Sequence, residues 1–213
     1  TNTATVAGGG DVNPANNSAA DVAIVFSHFI DVPADDPFLR WIEALALAGV
    51  TSGCGTALPM YCPDAPVTHA QMAVFLLRGL HGPAFVPPPA TSAPFVDVTP
   101  DSPFAPWIEH LARGGITGGC ATSPARFCPD AGVTRAQVAV FLLRAAHGAG
   151  HLPPLATGLF TDVPLDSPFA PFIEQLARDG ITGGCGPTRF CPDQIVTREQ
   201  MAVFLVRAFH LPM

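Results

Sequence analysis

The sequence predicts a mostly α-helical protein built from three copies of one helix–loop–helix unit, and three features carry this prediction. A segment that opens at Phe29 recurs from Phe95 and from Phe160. Within each copy, apolar residues recur at helical spacing in two stretches, as in amphipathic helices. Six cysteines form three closely spaced pairs, one pair between the two helical stretches of each copy. Such internal repetition is typical of an array of similar modules.

The repeats divide the chain into six parts. Segments rich in proline and glycine separate the copies, and this composition favours extended linkers. The predicted parts are an N-terminal strand segment (1–28), three repeats (29–81, 95–147 and 160–210) and two linkers (82–94 and 148–159).

The first helix of each repeat has start and stop signals. A residue that can cap a helix precedes a proline, which suits the first helical position because no N–H is needed there. An apolar stripe follows, and a glycine that tolerates left-handed backbone geometry ends the helix. The predicted caps are Asp36, Ser102 and Ser167, and the predicted terminators are Gly49, Gly115 and Gly180.

The second helix of each repeat begins with the pattern of a capping box, in which a threonine and a glutamine three residues later satisfy each other's backbone N–H groups. The predicted pairs are Thr68 with Gln71, Thr134 with Gln137, and Thr197 with Gln200.

The cysteine pairs have two readings. Zinc sites usually gather four ligands, whereas each repeat offers two cysteines and no histidine at a constant spacing. Disulfides within each repeat are favoured, because the same short loop occurs three times, and they indicate an oxidising, extracytoplasmic compartment. The predicted pairs are Cys54 with Cys62, Cys120 with Cys128, and Cys185 with Cys191.

Composition and charge exclude several classes of function. A net charge of −7 disfavours nucleic acid and anionic lipid as partners. No apolar run reaches the roughly 18 residues that a membrane helix needs, so we expect no membrane insertion. All ten basic residues are arginine, which suits either carboxylate binding or an ordinary surface. The sequence has no nucleophile elbow, His-Glu-x-x-His motif or phosphate loop, so we expect no enzyme, no cofactor and no metal.

The order of motifs resembles a known family. Each repeat runs from Phe-x-Asp-Val through an aromatic helix to a Thr-x-Gly turn, then Pro-Asp, and the second repeat adds Thr-Arg-Ala-Gln-x-Ala-x-x-Leu-x-Arg. Over residues 29–209 this order resembles three S-layer homology (SLH) domains. The resemblance implies a pseudo-threefold helical prism with grooves between modules. It also implies an extracellular role, which is to hold an exported protein on the cell surface by binding an envelope polysaccharide, often a pyruvylated one.

The resemblance also implies ligand residues. The family's groove arginine corresponds to Arg135 and Arg198, where backbone N–H groups at a helix start could help to hold a carboxylate. The glycan-binding residues implied are Arg135, Arg198, Asp97, Asp162, Trp41, Trp107 and His69. The structural alternatives are a salt bridge for the arginines, a capping or turn role for the aspartates, core packing for the tryptophans and a solvated helix start for the histidine.

Some positions depart from the family's pattern. His69 stands where an arginine is expected, and Phe172 stands where a tryptophan is expected. The glutamate of the motif is glutamine in all three repeats, which keeps the capping role but removes a charge. The cysteine pairs are a further departure and would stiffen the loop between the helices.

In the first 28 residues, alternating or β-branched residues predict two strands, at Thr3–Val6 and Asp21–Phe26. The sequence of this segment resembles the end of the Ig-like β-sandwich repeats of bacterial surface proteins. An unpartnered strand pair can add to the sheet of another copy. The alternative function is therefore a self-assembling subunit of an extracellular filament or surface layer, joined as a homo-polymer through residues 1–28.

Overall fold

The computed structural model describes residues 2–5, 18–21 and 27–213, and it confirms a mostly α-helical fold. The first helices of the repeats are α1 (Leu39–Leu47), α3 (Ala105–Arg113) and α5 (Ala170–Arg178). The second helices are α2 (His69–His81), α4 (Arg135–His147) and α6 (Arg198–Ala208). Two short antiparallel pairs are β1 (Asn2–Thr5) with β2 (Ser18–Asp21), and β3 (Ala121–Thr122) with β4 (Ala125–Arg126). Within the described residues, no helix combines the length and apolar character needed to cross a membrane.

The first helices begin later than the sequence predicts but end where it predicts. Ser102 Oγ accepts a hydrogen bond from the Phe104 N–H at 3.3 Å, yet the regular helix starts only at Ala105 because a turn comes first. At the other end, Gly115 has φ +68°, and the next amide, Ile116 N–H, reaches back to the Leu111 carbonyl at 3.1 Å. This is a Schellman ending, and it needs the left-handed conformation that glycine adopts without strain.

The six helices close into a ring. Each first helix packs against the second helix of the preceding repeat, so that α3 contacts α2 and α5 contacts α4. The pairing of α1 with α6 joins the third repeat to the first. The second helices also contact one another and form the centre, which gives the pseudo-threefold arrangement.

A triangle of main-chain hydrogen bonds lies at the centre of this ring. Val67 N–H donates to Val196 O at 3.0 Å, Val196 N–H to Val133 O at 3.0 Å, and Val133 N–H to Val67 O at 2.9 Å. All three side chains are completely buried. We call these residues the valine ring. Since each bond joins two different repeats, no repeat can complete its own set of hydrogen bonds alone.

The N-terminal strand pair is described in part. Asn2 pairs with Asp21 and Thr5 with Ser18 in an antiparallel register. Residues 1, 6–17 and 22–26 lie outside the described residues, and with them most of the second predicted strand and part of the predicted joint for self-assembly.

A buried glutamate on each of α3 and α5 holds the chain that leads into its repeat. Glu174 accepts hydrogen bonds from the amides of Thr157, Gly158 and Leu159 at 2.7–3.0 Å, and it pairs with Arg178 at 2.7 Å. Burial opposes its ionisation, but the hydrogen bonds outweigh burial and lower the pKa of Glu174. The glutamate thus fastens the linker onto the first helix.

Glu174→Gln tests this clamp. A carboxylate with a lowered pKa stabilises the fold above the ordinary glutamate range and loses that contribution as pH falls through the folded-state pKa. We expect the variant to lose about 1.5–3 kcal/mol of unfolding free energy at pH 7, the usual worth of hydrogen bonds to a charged group. The deficit should shrink below about pH 4. Urea unfolding at a series of pH values measures both.

Glu199→Gln is the matched control. Burial and the nearby Asp64 and Asp36 raise the pKa of Glu199, so removing its charge should leave stability at pH 7 unchanged or slightly higher. A deficit in Glu174→Gln that stays constant from pH 7 to pH 3 would contradict the clamp.

Candidate functional site: three grooves between repeats

Three grooves lie at equivalent places around the ring, and each is shared by all three repeats. Groove 1 is formed by the loop 50–54 and α2, groove 2 by the loop 116–119 and α4, and groove 3 by the loop 181–185 and α6. Their volumes are about 270, 170 and 510 Å³ respectively. Each groove also receives a phenylalanine from the start of another repeat's first helix, namely Phe104, Phe169 and Phe38.

A threonine–glycine turn shapes one wall of each groove. In groove 2, Thr117 Oγ1 accepts a hydrogen bond from the Gly119 N–H at 3.0 Å. Gly119 has φ +83°, and a Cβ there would collide with the carbonyl of Arg126. Grooves 1 and 3 repeat the bond between Thr51 and Gly53 and between Thr182 and Gly184. Only glycine therefore fits this part of the wall.

A disulfide fastens each turn, which confirms the favoured reading of the cysteines. The bonds join Cys54 to Cys62, Cys120 to Cys128, and Cys185 to Cys191. Each disulfide lies close to an aspartate oxygen, but the joined sulfurs have no thiolate to offer a metal ion.

The aspartates at the start of the repeats are bound within the chain. Asp97 accepts hydrogen bonds from the amides of Phe127 and Cys128, both at 2.8 Å. Asp162 does the same for Phe190 and Cys191. Neither aspartate lines a groove. Their position fastens the cysteine loop, and the glycan-binding role implied for them stays a prediction.

Arg135 and Arg198 lie in grooves 3 and 1, at the start of helices from a neighbouring repeat. Their exposed fractions are 5% and 4%. Arg135 Nε donates to the Phe190 carbonyl at 2.7 Å, and its guanidinium stacks 4.8 Å from the ring of that residue. Arg198 does the same with Tyr61. Within the described residues, Nη2 of each arginine has no hydrogen-bond partner.

The charge of these arginines is poorly compensated inside the chain. Burial lowers the pKa of Arg135, and the nearby Asp162 acts in the opposite direction. Burial likewise lowers the pKa of Arg198, with Tyr61 and Asp31 opposing it. The described residues give neither arginine a salt bridge. Arginine stays protonated in proteins even so, and a buried cation with a free N–H attracts an anion.

His69 takes the equivalent place in groove 2. It is 6% exposed, and its Nδ1 lies 3.0 Å from the Cys128 carbonyl oxygen. The rings of Phe127 and Phe141 meet it edge-on, with centroids 5.9 and 6.3 Å away.

A second basic side chain lines each groove, an arginine near the end of a second helix, and sequence reasoning missed it. From the sequence, arginines near the ends of the second helices are expected only to complement the negative end of the helix dipole. In the structure they also stack on the first-helix aromatics of the next repeat. The pairs are Arg78 with Trp107 at 5.5 Å, Arg144 with Phe172 at 5.9 Å, and Arg207 with Trp41 at 4.9 Å. Their recurrence at one position in all three repeats is the signal that could have found them.

The tryptophans therefore lie behind the grooves. Trp41 and Trp107 do not line grooves 1–3, and they support Arg207 and Arg78, which do. Phe172 replaces tryptophan without loss of this stacking. The direct glycan contact implied for the tryptophans stays a prediction.

The glutamines behave differently in the three grooves. Gln71 and Gln137 complete the predicted capping boxes, since each Oε1 accepts the N–H of its threonine. The third box is incomplete, which corrects the prediction for Gln200. Thr197 Oγ1 accepts the Gln200 N–H at 3.4 Å, but Gln200 Oε1 has no partner within the described residues. Gln200 lines groove 3, and its Oε1 is buried without a hydrogen-bond partner among the described residues.

The grooves share one electrostatic character. Among the described residues, each groove is lined by two side chains that can be cationic and by no aspartate or glutamate. The pairs are Arg198 with Arg78 in groove 1, His69 with Arg144 in groove 2, and Arg135 with Arg207 in groove 3. In a chain of net charge −7, five of the ten arginines line these three grooves. The arrangement suits an anion with hydroxyl groups beside it.

Two comparisons with known proteins show what this chain is similar to. Residues 159–202 match the family model of the S-layer homology domain. Over 122 residues, 56% of this chain, the sequence is 31% identical to a protein of Thermoanaerobacter kivui named "Cell surface protein". The match covers 16% of that protein, so the chain spans a small part of its length. Together these findings support an S-layer homology protein, with the matched domain in the third repeat.

Proposed function

We propose that this chain is a non-catalytic, extracellular module that attaches a surface protein to an acidic envelope polysaccharide through the grooves between its repeats. The observation that carries the proposal is the pair of basic side chains in each groove, with no carboxylate among the described residues that line it. The S-layer homology match and the cell-surface relative support the location. The disulfides suit the oxidising conditions outside the cytoplasm.

The proposal extends the S-layer homology assignment to all three repeats. The family match covers most of the third repeat, and the other two have the same pair of helices in the same order. They also repeat its disulfide, its threonine–glycine turn and its aspartate contacts. Equivalent sequence landmarks thus hold equivalent structure, which supports three modules of one kind.

Groove 3 is the best candidate for the main ligand site. Its volume of about 510 Å³ falls in the range typical of small-molecule pockets, and it is the largest of the three grooves. Arg135 and Arg207 would hold a carboxylate on the sugar, while Gln200 Oε1 would accept a hydrogen bond from a neighbouring hydroxyl. Asp162 and Trp41 would contribute without touching the ligand. Asp162 would hold the cysteine loop in place, and Trp41 would hold Arg207 in place.

Removing one arginine from each of grooves 1 and 3, the two grooves that have a pair of arginines, tests the proposal. We expect the double variant Arg78→Gln, Arg207→Gln to bind purified bacterial cell walls about tenfold or more weakly, since one charge-assisted bond per groove is lost. Binding of the unchanged chain should also weaken as salt rises. Co-sedimentation measures both, using walls that retain their attached acidic polysaccharide and the same walls stripped of it.

The control is Arg126→Gln, which removes the same charge from an exposed arginine outside the grooves. It should bind as the unchanged chain does. Equal binding by the double variant, or equal binding to stripped walls, would refute polysaccharide attachment through the grooves.

Self-assembly through residues 1–28 is the alternative, and one observation favours it. In the described residues, β1 and β2 form a two-stranded sheet, and such a pair has two open edges that could accept a strand from another copy. If so, filaments or sheets in negative-stain images of the purified chain should vanish when residues 1–28 are deleted. A monodisperse monomer with and without these residues would sink the alternative and leave the attachment function in place.

A further inference from the structure

His69 gives groove 2 a chemistry that differs from that of the other two grooves. Its Nδ1 lies 3.0 Å from the Cys128 carbonyl oxygen, and a carbonyl can only accept a hydrogen bond. Nδ1 therefore carries the hydrogen. In a neutral imidazole this leaves Nε2 without a proton, as an acceptor. The equivalent arginines, Arg135 and Arg198, can only donate.

The imidazole is held in one orientation. It is 6% exposed and packed between the rings of Phe127 and Phe141. The backbone is fixed as well, because His69 N–H donates to the Ala131 carbonyl at 3.0 Å. The ring therefore has little freedom to exchange the roles of its two nitrogens.

Some of the charges around His69 oppose a positive charge on its ring, and others favour it. Across the groove lies Arg144, which opposes a second positive charge. On the loop beside Cys128, Asp97 accepts the amides of Phe127 and Cys128 and favours a positive charge. Arg126 and Asp130 flank the same loop, and the third repeat contributes only the uncharged Phe169, just before α5, to the groove. With His69 neutral, groove 2 has a single cation.

We propose that His69 sets the ligand specificity of groove 2, so that this groove accepts a sugar hydroxyl while His69 is neutral and an anion only when His69 is protonated. The inference rests on the proposed function. Histidine is the side chain that commonly changes charge between pH 8 and pH 5. Grooves 1 and 3 are then anion sites whatever the state of His69, and groove 2 becomes a third anion site when His69 is protonated.

Site-resolved titration with sodium sulfate tests this, because sulfate keeps both charges throughout this pH range. The backbone amides of the glycines report on each groove in ¹⁵N-resolved NMR spectra, with sodium chloride at matched ionic strength as the blank. The reporters are Gly53 for groove 1, Gly118 and Gly119 for groove 2, and Gly183 and Gly184 for groove 3. The full chain is used.

We expect the apparent sulfate affinity of groove 2 to rise about tenfold or more from pH 8 to pH 5, because a charge-assisted hydrogen bond becomes available. Grooves 1 and 3 should respond almost equally at both pH values. In long-range ¹⁵N spectra at pH 8, His69 should be the tautomer with its hydrogen on Nδ1.

Two substitutions at the same position sharpen the test. His69→Arg should make groove 2 bind sulfate at both pH values, and His69→Gln should abolish binding there at both, while either side chain can still donate to Cys128. His110→Gln removes a histidine that lines none of the three grooves, and it should change nothing.

The possible failures are distinguishable. Equal sulfate affinity of groove 2 at pH 8 and pH 5, with grooves 1 and 3 responding, overturns the role of His69 and leaves the proposed function standing. A hydrogen on Nε2 of the neutral ring also overturns it. Absence of any response in grooves 1 and 3 at either pH overturns anion binding itself, and the inference falls with it.

Discussion

Three main-chain hydrogen bonds between Val67, Val133 and Val196 hold the repeats in one closed ring. Around these bonds, the first turn of each second helix contacts a loop of a neighbouring repeat. The amide of Arg135 donates to Gln194 O, and that of Arg198 donates to Ala65 O, at 2.9 Å each. These amides belong to helix starts, where backbone N–H groups have no partner inside the helix. The helix starts of one repeat are thus satisfied by the loop of another.

The composition of the grooves results from these contacts between helix starts and neighbouring repeats. Because a second helix begins inside the neighbouring repeat, its first side chain enters the neighbour's groove, and Arg135, Arg198 and His69 all do so. The arginine at the far end of each second helix is held by an aromatic ring of the following repeat. Every groove therefore depends on the assembled trio, and a single repeat would have only part of one.

Local patterns in the sequence were enough to predict the helices, the disulfides and the glycine endings, because these depend on residues close together in the chain. The delayed start of α3 and the incomplete capping box at Gln200 were missed, since a capping motif does not fix where the regular helix begins or which contacts its side chains make. The resemblance directed attention to Arg135 and Arg198, but it did not reveal Arg78, Arg144 and Arg207. Their role depends on stacking between repeats, which no local pattern encodes.

Hydrogen exchange at the three amides of the valine ring tests the closed ring most directly. If the repeats form one cooperative unit, Val67, Val133 and Val196 should exchange with the same free energy of opening, equal to that of global unfolding measured with denaturant. Exchange of one of these amides through a cheaper, separate opening would show that its repeat can leave the ring. That result would contradict the account, because the grooves would then not depend on all three repeats.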